Sequence, residues 1–211
     1  AAFGVKDKNG GIQRYETAEK AYANTPINGF RTMIKGVRDG WLTSRTFSHQ
    51  PFFPKGLLTG SEDPDAISRT MSIGVNELEI NESNDELAFD TNVLYFTAPN
   101  EKFPALIRKV TFTNTGSTSL SLDVLDGLAE LTPYGPTLDQ LDNMGRTIEA
   151  YYRVYNVDKG EPVTEPFYHI SQGTTDAATV QLVSQGNFVT AWVEGEEDHP
   201  LSFIVDPTMV F

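Results

Sequence analysis

The residues best suited to chemistry in this sequence are three histidines, His49, His169 and His199, and a surplus of carboxylates, with 29 aspartates and glutamates among 211 residues. The histidines stand far apart, with no His-x-x-x-His or similar spacing, which argues against a transition-metal centre. His169 falls in the strand-like stretch PFYHISQ, where a sheet residue is the plainer reading than a general base. No Gly-x-Ser-x-Gly elbow is present to hold a serine nucleophile. The absence of cysteine excludes thiolate ligands, disulfides and a cysteine nucleophile together. Glycoside hydrolysis needs only two carboxyl groups across the scissile bond. Asp123, Asp126 and Glu130 crowd the end of an alternating stretch and are one place where such a site could be built. They are read equally well as turn formers where the chain leaves a sheet at Gly127. The acidic run of Glu194, Glu196, Glu197 and Asp198, ending at His199, reads as a solvated hairpin loop around Gly195 and lacks the EF-hand spacing for calcium. No catalytic residue and no metal site are assigned from these patterns.

Aromatic residues on irregular, glycine-flanked segments are better candidates, because a pyranose stacks its C–H face on an indole or phenol ring. Trp41 in DGWLTSRTFSH and Tyr134 in TPYGP satisfy this description. With Arg45 and Arg146 they form the carbohydrate-contact set expected from the sequence: Trp41, Arg45, Tyr134 and Arg146. Burial beneath a long connection is the competing fate for the two aromatics. Trp192 alternates with Phe188 and Thr190 and reads as a core residue. Asn81-Glu82-Ser83 matches the N-glycosylation sequon, a pattern too common to decide anything.

Charge narrows the partners. A formal net charge of −13 disfavours nucleic acid and anionic membrane surfaces, both of which demand a surplus of Lys and Arg. A neutral sugar carries no such penalty. The charge is also unevenly spread. Residues 1–60 hold nine bases and four acids, against seven and twenty-five in the remainder. The basic front segment is therefore expected to lie against the acidic body, with an anionic substrate or another domain as the alternative. Without cysteines the compartment is not fixed, although a cytoplasmic setting is favoured over a periplasmic one. No stretch approaches the ~18 consecutive apolar residues of a membrane span.

The elements that must position these residues read as strands. Seventeen glycines and twelve prolines spread along the chain suit short strands and turns. Residues 1–60 are the least regular part, with a short helix expected over Thr17–Asn24, ended by Pro26, and hairpins or edge strands beyond it. Within TNVLYFTAP, residues 91–98 are apolar on both faces and should lie centrally. LIRKVTFTN (106–114) and SLSLDVL (119–125), joined by Asn114-Thr-Gly-Ser117, read as a hairpin with one buried and one wet face. Between 126 and 147 the alternation stops. There Thr137 and Gln140 fit a capping box, Leu138, Leu141 and Met144 share a helical face, and Gly145 is placed to end the helix. Further strands are expected at 148–157, 166–172, 178–184, 187–194 and 201–206. Closely spaced strands without long intervening helices imply antiparallel sheets. The expected fold is all-β, a large antiparallel β-sandwich with one or two short helices, forming a single domain over residues 1–211. The apolar ending Pro207–Phe211 suggests a boundary inside a longer protein.

The stretches NELEI, NVLYFTAPNEKFPALIRKVTFTNTGS, LSLDVLDGLAELTPYG and TIEAYYRVYNV together resemble the N-terminal sandwich domain of bacterial proteins related to cellobiose phosphorylases, in the glycoside hydrolase family 94 group. The likeness covers most of residues 70–211, and its motifs are structural. It implies a supersandwich similar to galactose-mutarotase-like domains, followed in that family by a helical linker and an (α/α)6 barrel bearing the acidic proton donor and the phosphate site. For this chain the resemblance implies a non-catalytic module without a cofactor, inorganic phosphate being the parent enzyme's co-substrate. Its implied partners are the C-terminal barrel, an oligosaccharide and a second copy in a homodimer, with the 126–147 connection as the segment reaching towards a partner's site. A free-standing carbohydrate-binding module, a mutarotase-like epimerase and an adhesion module are the rival readings.

Overall fold

A computed structural model describes residues 9, 11–40, 43–53, 64–156, 165–173 and 178–204. The chain separates into two compact units, Ala23–Leu128 and a second assembled from Ala1–Tyr22 with Ala129–Phe211. The fold is all-β with antiparallel sheets, as the alternation implied, and contains two α-helices among the described residues.

The first unit is a sandwich of two antiparallel sheets. One holds β2 (Arg45–His49), β1 (Phe30–Arg38) and β7 (Leu120–Leu128) in that order. The other holds β3 (Ile67–Ile73), β4 (Glu77–Asn84), β5 (Phe89–Thr97) and β6 (Leu106–Asn114), again in that order. Phe89, Thr91 and Val93 of β5 share one face and are almost fully buried. The core gathers Ile34, Leu87 and Phe89, with Phe47, Phe112, Leu120 and Leu122 packed against them. Burying each such side chain contributes on the order of 1.5–3 kcal/mol. Phe47 stacks on Phe89 with ring centroids 5.9 Å apart. It reaches that position across Gly36, where an added Cβ would lie 2.2 Å from the Phe47 ring. A bare backbone at position 36 therefore lets an edge strand deliver an aromatic ring to the core.

The stretches 106–114 and 119–125 are both strands, but they do not form the expected hairpin. β6 pairs with β5, whereas β7 pairs with β1, so the Asn114–Ser117 turn carries the chain from one sheet to the other. The reason is cover for the core: beside β6, Leu120 and Leu122 would extend the same sheet, whereas beside β1 they close over Phe89 and Phe112. Arg38 fixes the crossing, donating to Asn114 Oδ1 at 3.0 Å and to the carbonyls of Leu87 and Ala88 at 2.8 and 2.9 Å.

The second unit is built from shorter pieces: α2 (Leu138–Glu149), β8 (Tyr152–Tyr155), β9 (Phe167–Ile170) and β10 (Asn187–Phe188), the three strands pairing in the order β10-β9-β8. The capping box forms as expected: Thr137 Oγ1 accepts from the Gln140 N–H at 3.2 Å, and Gln140 Oε1 accepts from the Thr137 N–H at 3.0 Å. Gly145 does not end the helix. Met144 departs from helical angles (φ −131°), and the helix resumes to Glu149, which takes Ile148 into full burial. The strand expected from 148 consequently begins only at Tyr152. Helix α1 (Ala18–Asn28) likewise runs past Pro26.

Three other expectations fail in this unit. Residues 178–184 make only an isolated bridge between Gln172 and Leu182, with Val180 and Leu182 69% and 83% exposed. Residues 189–194 are not strand, and Trp192 is 47% exposed rather than buried. Residues 201–204 are irregular, and 205–206 lie outside the described residues. Apolar alternation yields a strand only where a neighbouring strand can complete its hydrogen bonds.

Candidate functional site

The acid–base groups that the sandwich brings together are His49, at the end of β2, Arg69 on β3 and Glu82 on β4. Glu82 is a carboxylate on the inward parity of its strand, continuing the row set by Leu78 and Ile80. Its Oε1 lies 2.6 Å from His49 Nε2. Its Oε2 accepts from the Phe52 N–H and from Arg69 Nε, each at 2.7 Å. The side chains of His49 and Glu82 are 0% and 1% exposed. Burial on its own would push the Glu82 carboxyl up. The hydrogen bonds from His49 and Phe52, with the positive charges of His49 and Arg69, outweigh it and hold the group below the usual carboxylate range. A buried carboxylate so held is an ionised anchor between sheets. Its two oxygens are met by three protein donors.

A second polar tie joins the sheets further along. Arg108 of β6 is ion-paired with Asp126 of β7 and donates to Thr32 Oγ1 at 2.9 Å and Tyr95 Oη at 3.0 Å. Its guanidinium also lies 5.5 and 5.6 Å from the Phe30 and Tyr95 ring centroids. Asp126, one of the carboxylates considered for catalysis, is thereby a structural partner.

On the outer face of the three-stranded sheet lies an open concavity of about 460 Å³. Two cross-strand rows form its floor: Ser48, Lys35 and Asp123, then Thr46, Val37 and Ser121. Lys35 and Asp123 stand directly opposite one another, both exposed to solvent.

The residues of the sequence-derived sugar set fall in different parts of the chain. Trp41 lies outside the described residues. Arg45 begins β2 in the sandwich unit and donates to Glu86 at 2.7 Å. Tyr134 and Arg146 belong to the second unit. Tyr134 is 36% exposed, its hydroxyl 2.6 Å from Gln185 Oε1. Arg146 is exposed on α2, which begins four residues beyond Tyr134. His169 sits in β9 as a sheet residue, and the Glu194–His199 run forms an exposed loop closed by a bridge between Trp192 and Pro200. There the Gly195 N–H holds the Glu197 carboxyl below its ordinary range. The Asn81 of the sequon lies within β4, its side chain accepting from Asn92 at 2.5 Å. Among the described residues no group of three or more His, Asp or Glu is placed to hold a metal ion.

No family model matches the chain, and no curated protein matches it.

Sequence reading missed Arg69 and Glu82. The available signal was parity: in NELEINESN, Glu82 and Asn84 occupy the register of Leu78 and Ile80, so a strand maintained to Asn84 must bury them.

Proposed function

We propose that this chain is a non-catalytic β-sandwich module of a carbohydrate-active enzyme resembling the cellobiose phosphorylases, holding a helical catalytic barrel of the same parent protein. The observation that carries the reading is the closed state of the His49–Glu82–Arg69 centre. The sandwich's buried carboxylate is held by three protein donors, the arrangement of a scaffold and not of a proton-transfer site. The overall negative charge and the sequence resemblance point to a neutral oligosaccharide as the parent's substrate, with inorganic phosphate consumed on the barrel.

A second reading, glycan contact by the module itself, is favoured by the concavity beside Lys35 and Asp123. Its hydroxyls and opposed charges can both donate to and accept from sugar hydroxyls, and its volume falls in the range of roughly 300–1,000 Å³ typical of small-ligand sites.

One experiment separates the two. The chain is incubated with cellobiose and longer β-glucans, with and without phosphate, and then titrated with the same sugars by calorimetry. The scaffold reading expects neither turnover nor heat. Heat lost in Asp123→Ala establishes the second reading, and turnover lost in Glu82→Gln overturns both.

A further inference from the structure

Arg69, Glu82 and Thr91 stand opposite one another across β3, β4 and β5, and Asn84 follows on the same face of β4. Three polar atoms here are sealed from solvent and have no partner: Arg69 Nη2, Thr91 Oγ1 and Asn84 Nδ2. Thr91 and Asn84 are each 2% exposed. The neighbouring acceptors are already engaged. Glu82 holds His49, Phe52 and Arg69 Nε, and Asn84 Oδ1 accepts from the Leu87 N–H at 2.9 Å. Unmet buried polar groups are rare in folded proteins and are costly when they occur. All three stand on neighbouring inward positions of the four-stranded sheet.

We propose that this row encloses a buried water, bound by Arg69 Nη2, Asn84 Nδ2 and Thr91 Oγ1 and completing the His49–Glu82 centre. Two of the three atoms can only donate, whereas the Thr91 hydroxyl both donates and accepts. A water accepts from Arg69 and Asn84 and has protons left for Thr91, the two-to-four polar partners that an internal water requires. A halide could accept from all three, but the positive charge it would need from Arg69 is already opposed by Glu82 in direct contact. The inference is independent of the sugar chemistry proposed above.

The test is a high-resolution crystal structure together with Thr91→Val, which keeps the side-chain shape and removes the hydroxyl. Density for one water within hydrogen-bonding distance of all three atoms is expected, together with a lower unfolding midpoint for Thr91→Val, because a bridged hydroxyl is lost. An empty row, or a midpoint for Thr91→Val equal to or above that of the parent, overturns the proposal, since removing an unmet hydroxyl relieves a penalty. So does an anomalous peak at this position after a bromide soak. If Thr91→Val does not fold, the wild-type density and the bromide soak decide alone.

Discussion

The two buried histidines sit in opposite circumstances. His49, in the sandwich, meets the Glu82 carboxylate at 2.6 Å and packs edge-on against Phe89. His169, in the second unit, is 8% exposed and packs against the rings of Tyr155 and Phe167, with neither ring nitrogen hydrogen-bonded. The difference follows from strand length. The strands of seven to nine residues in the four-stranded sheet put Arg69 and Glu82 in register with one another and present them beneath β2. In the second unit, strands of two to four residues leave His169 flanked by aromatic contacts and by a bridge to Tyr134. Identical residues thus become an electrostatic anchor in one place and an aromatic filler in the other.

The same substitution at both positions is the strongest way to break this comparison. His49→Phe removes a donor from a buried carboxylate, and such a break costs about 3–5 kcal/mol, read by urea unfolding with the amides of β4 and β5 followed by hydrogen exchange. The pH dependence sharpens it. A folded carboxyl held below its unfolded value contributes stability that is complete above the ordinary glutamate range, about 4.3, and is lost as pH falls through the folded value. The parent protein should therefore lose stability on acidification below that range. His49→Phe should flatten the loss, because it removes the largest of the effects that lower the Glu82 carboxyl. An unchanged acid limb would remove Glu82 as the anchor.

At His169 the expected sign reverses. Two unmet ring nitrogens leave with the imidazole, and a buried unmet group costs about 1–3 kcal/mol. His169→Phe should therefore raise the unfolding midpoint or leave it unchanged, with any gain reduced by the slightly larger ring. A clear destabilisation would mean that the imidazole has a polar partner in solution, and the contrast between the two histidines would collapse.

Legibility in the sequence divides along the same line. The strand 106–114 was bounded residue for residue, and that at 91–98 was found with its first two residues missing, because both belong to a sheet that supplies neighbours along their length. The capping box was legible because it is local: one side chain meets a backbone three residues away. The sheet partner of β7 was not legible, since a short turn is compatible with a hairpin or a crossing and only the need to cover Phe89 and Phe112 decides between them. The buried centre was hidden because its inward parity turns polar at Glu82, which in sequence looks like a strand end. In the second unit, Val180 and Leu182 alternate as a strand should, yet among the described residues no strand lies beside them, and periodicity carries no information about that.

The charge asymmetry supplies the smallest effect and a limit on how far sequence charge can be read. The basic front segment does meet acids, through Arg45 with Glu86 in the sandwich unit and Arg14 with Asp142 in the second. Both arginines are well exposed, at 55% and 42% of their side chains, so solvent and salt screen the attraction. Exposed pairs of this kind contribute about 0.2–1 kcal/mol. A double-mutant cycle on Arg45→Ala and Glu86→Ala should give a coupling within that range, shrinking further at high salt as the screening length shortens. Glu86 lies two residues beyond Asn84, in the connection that leads into β5. A coupling several times larger would therefore mean that this surface pair helps set the register of the four-stranded sheet. The anchoring role would then be shared between the surface and the buried Glu82.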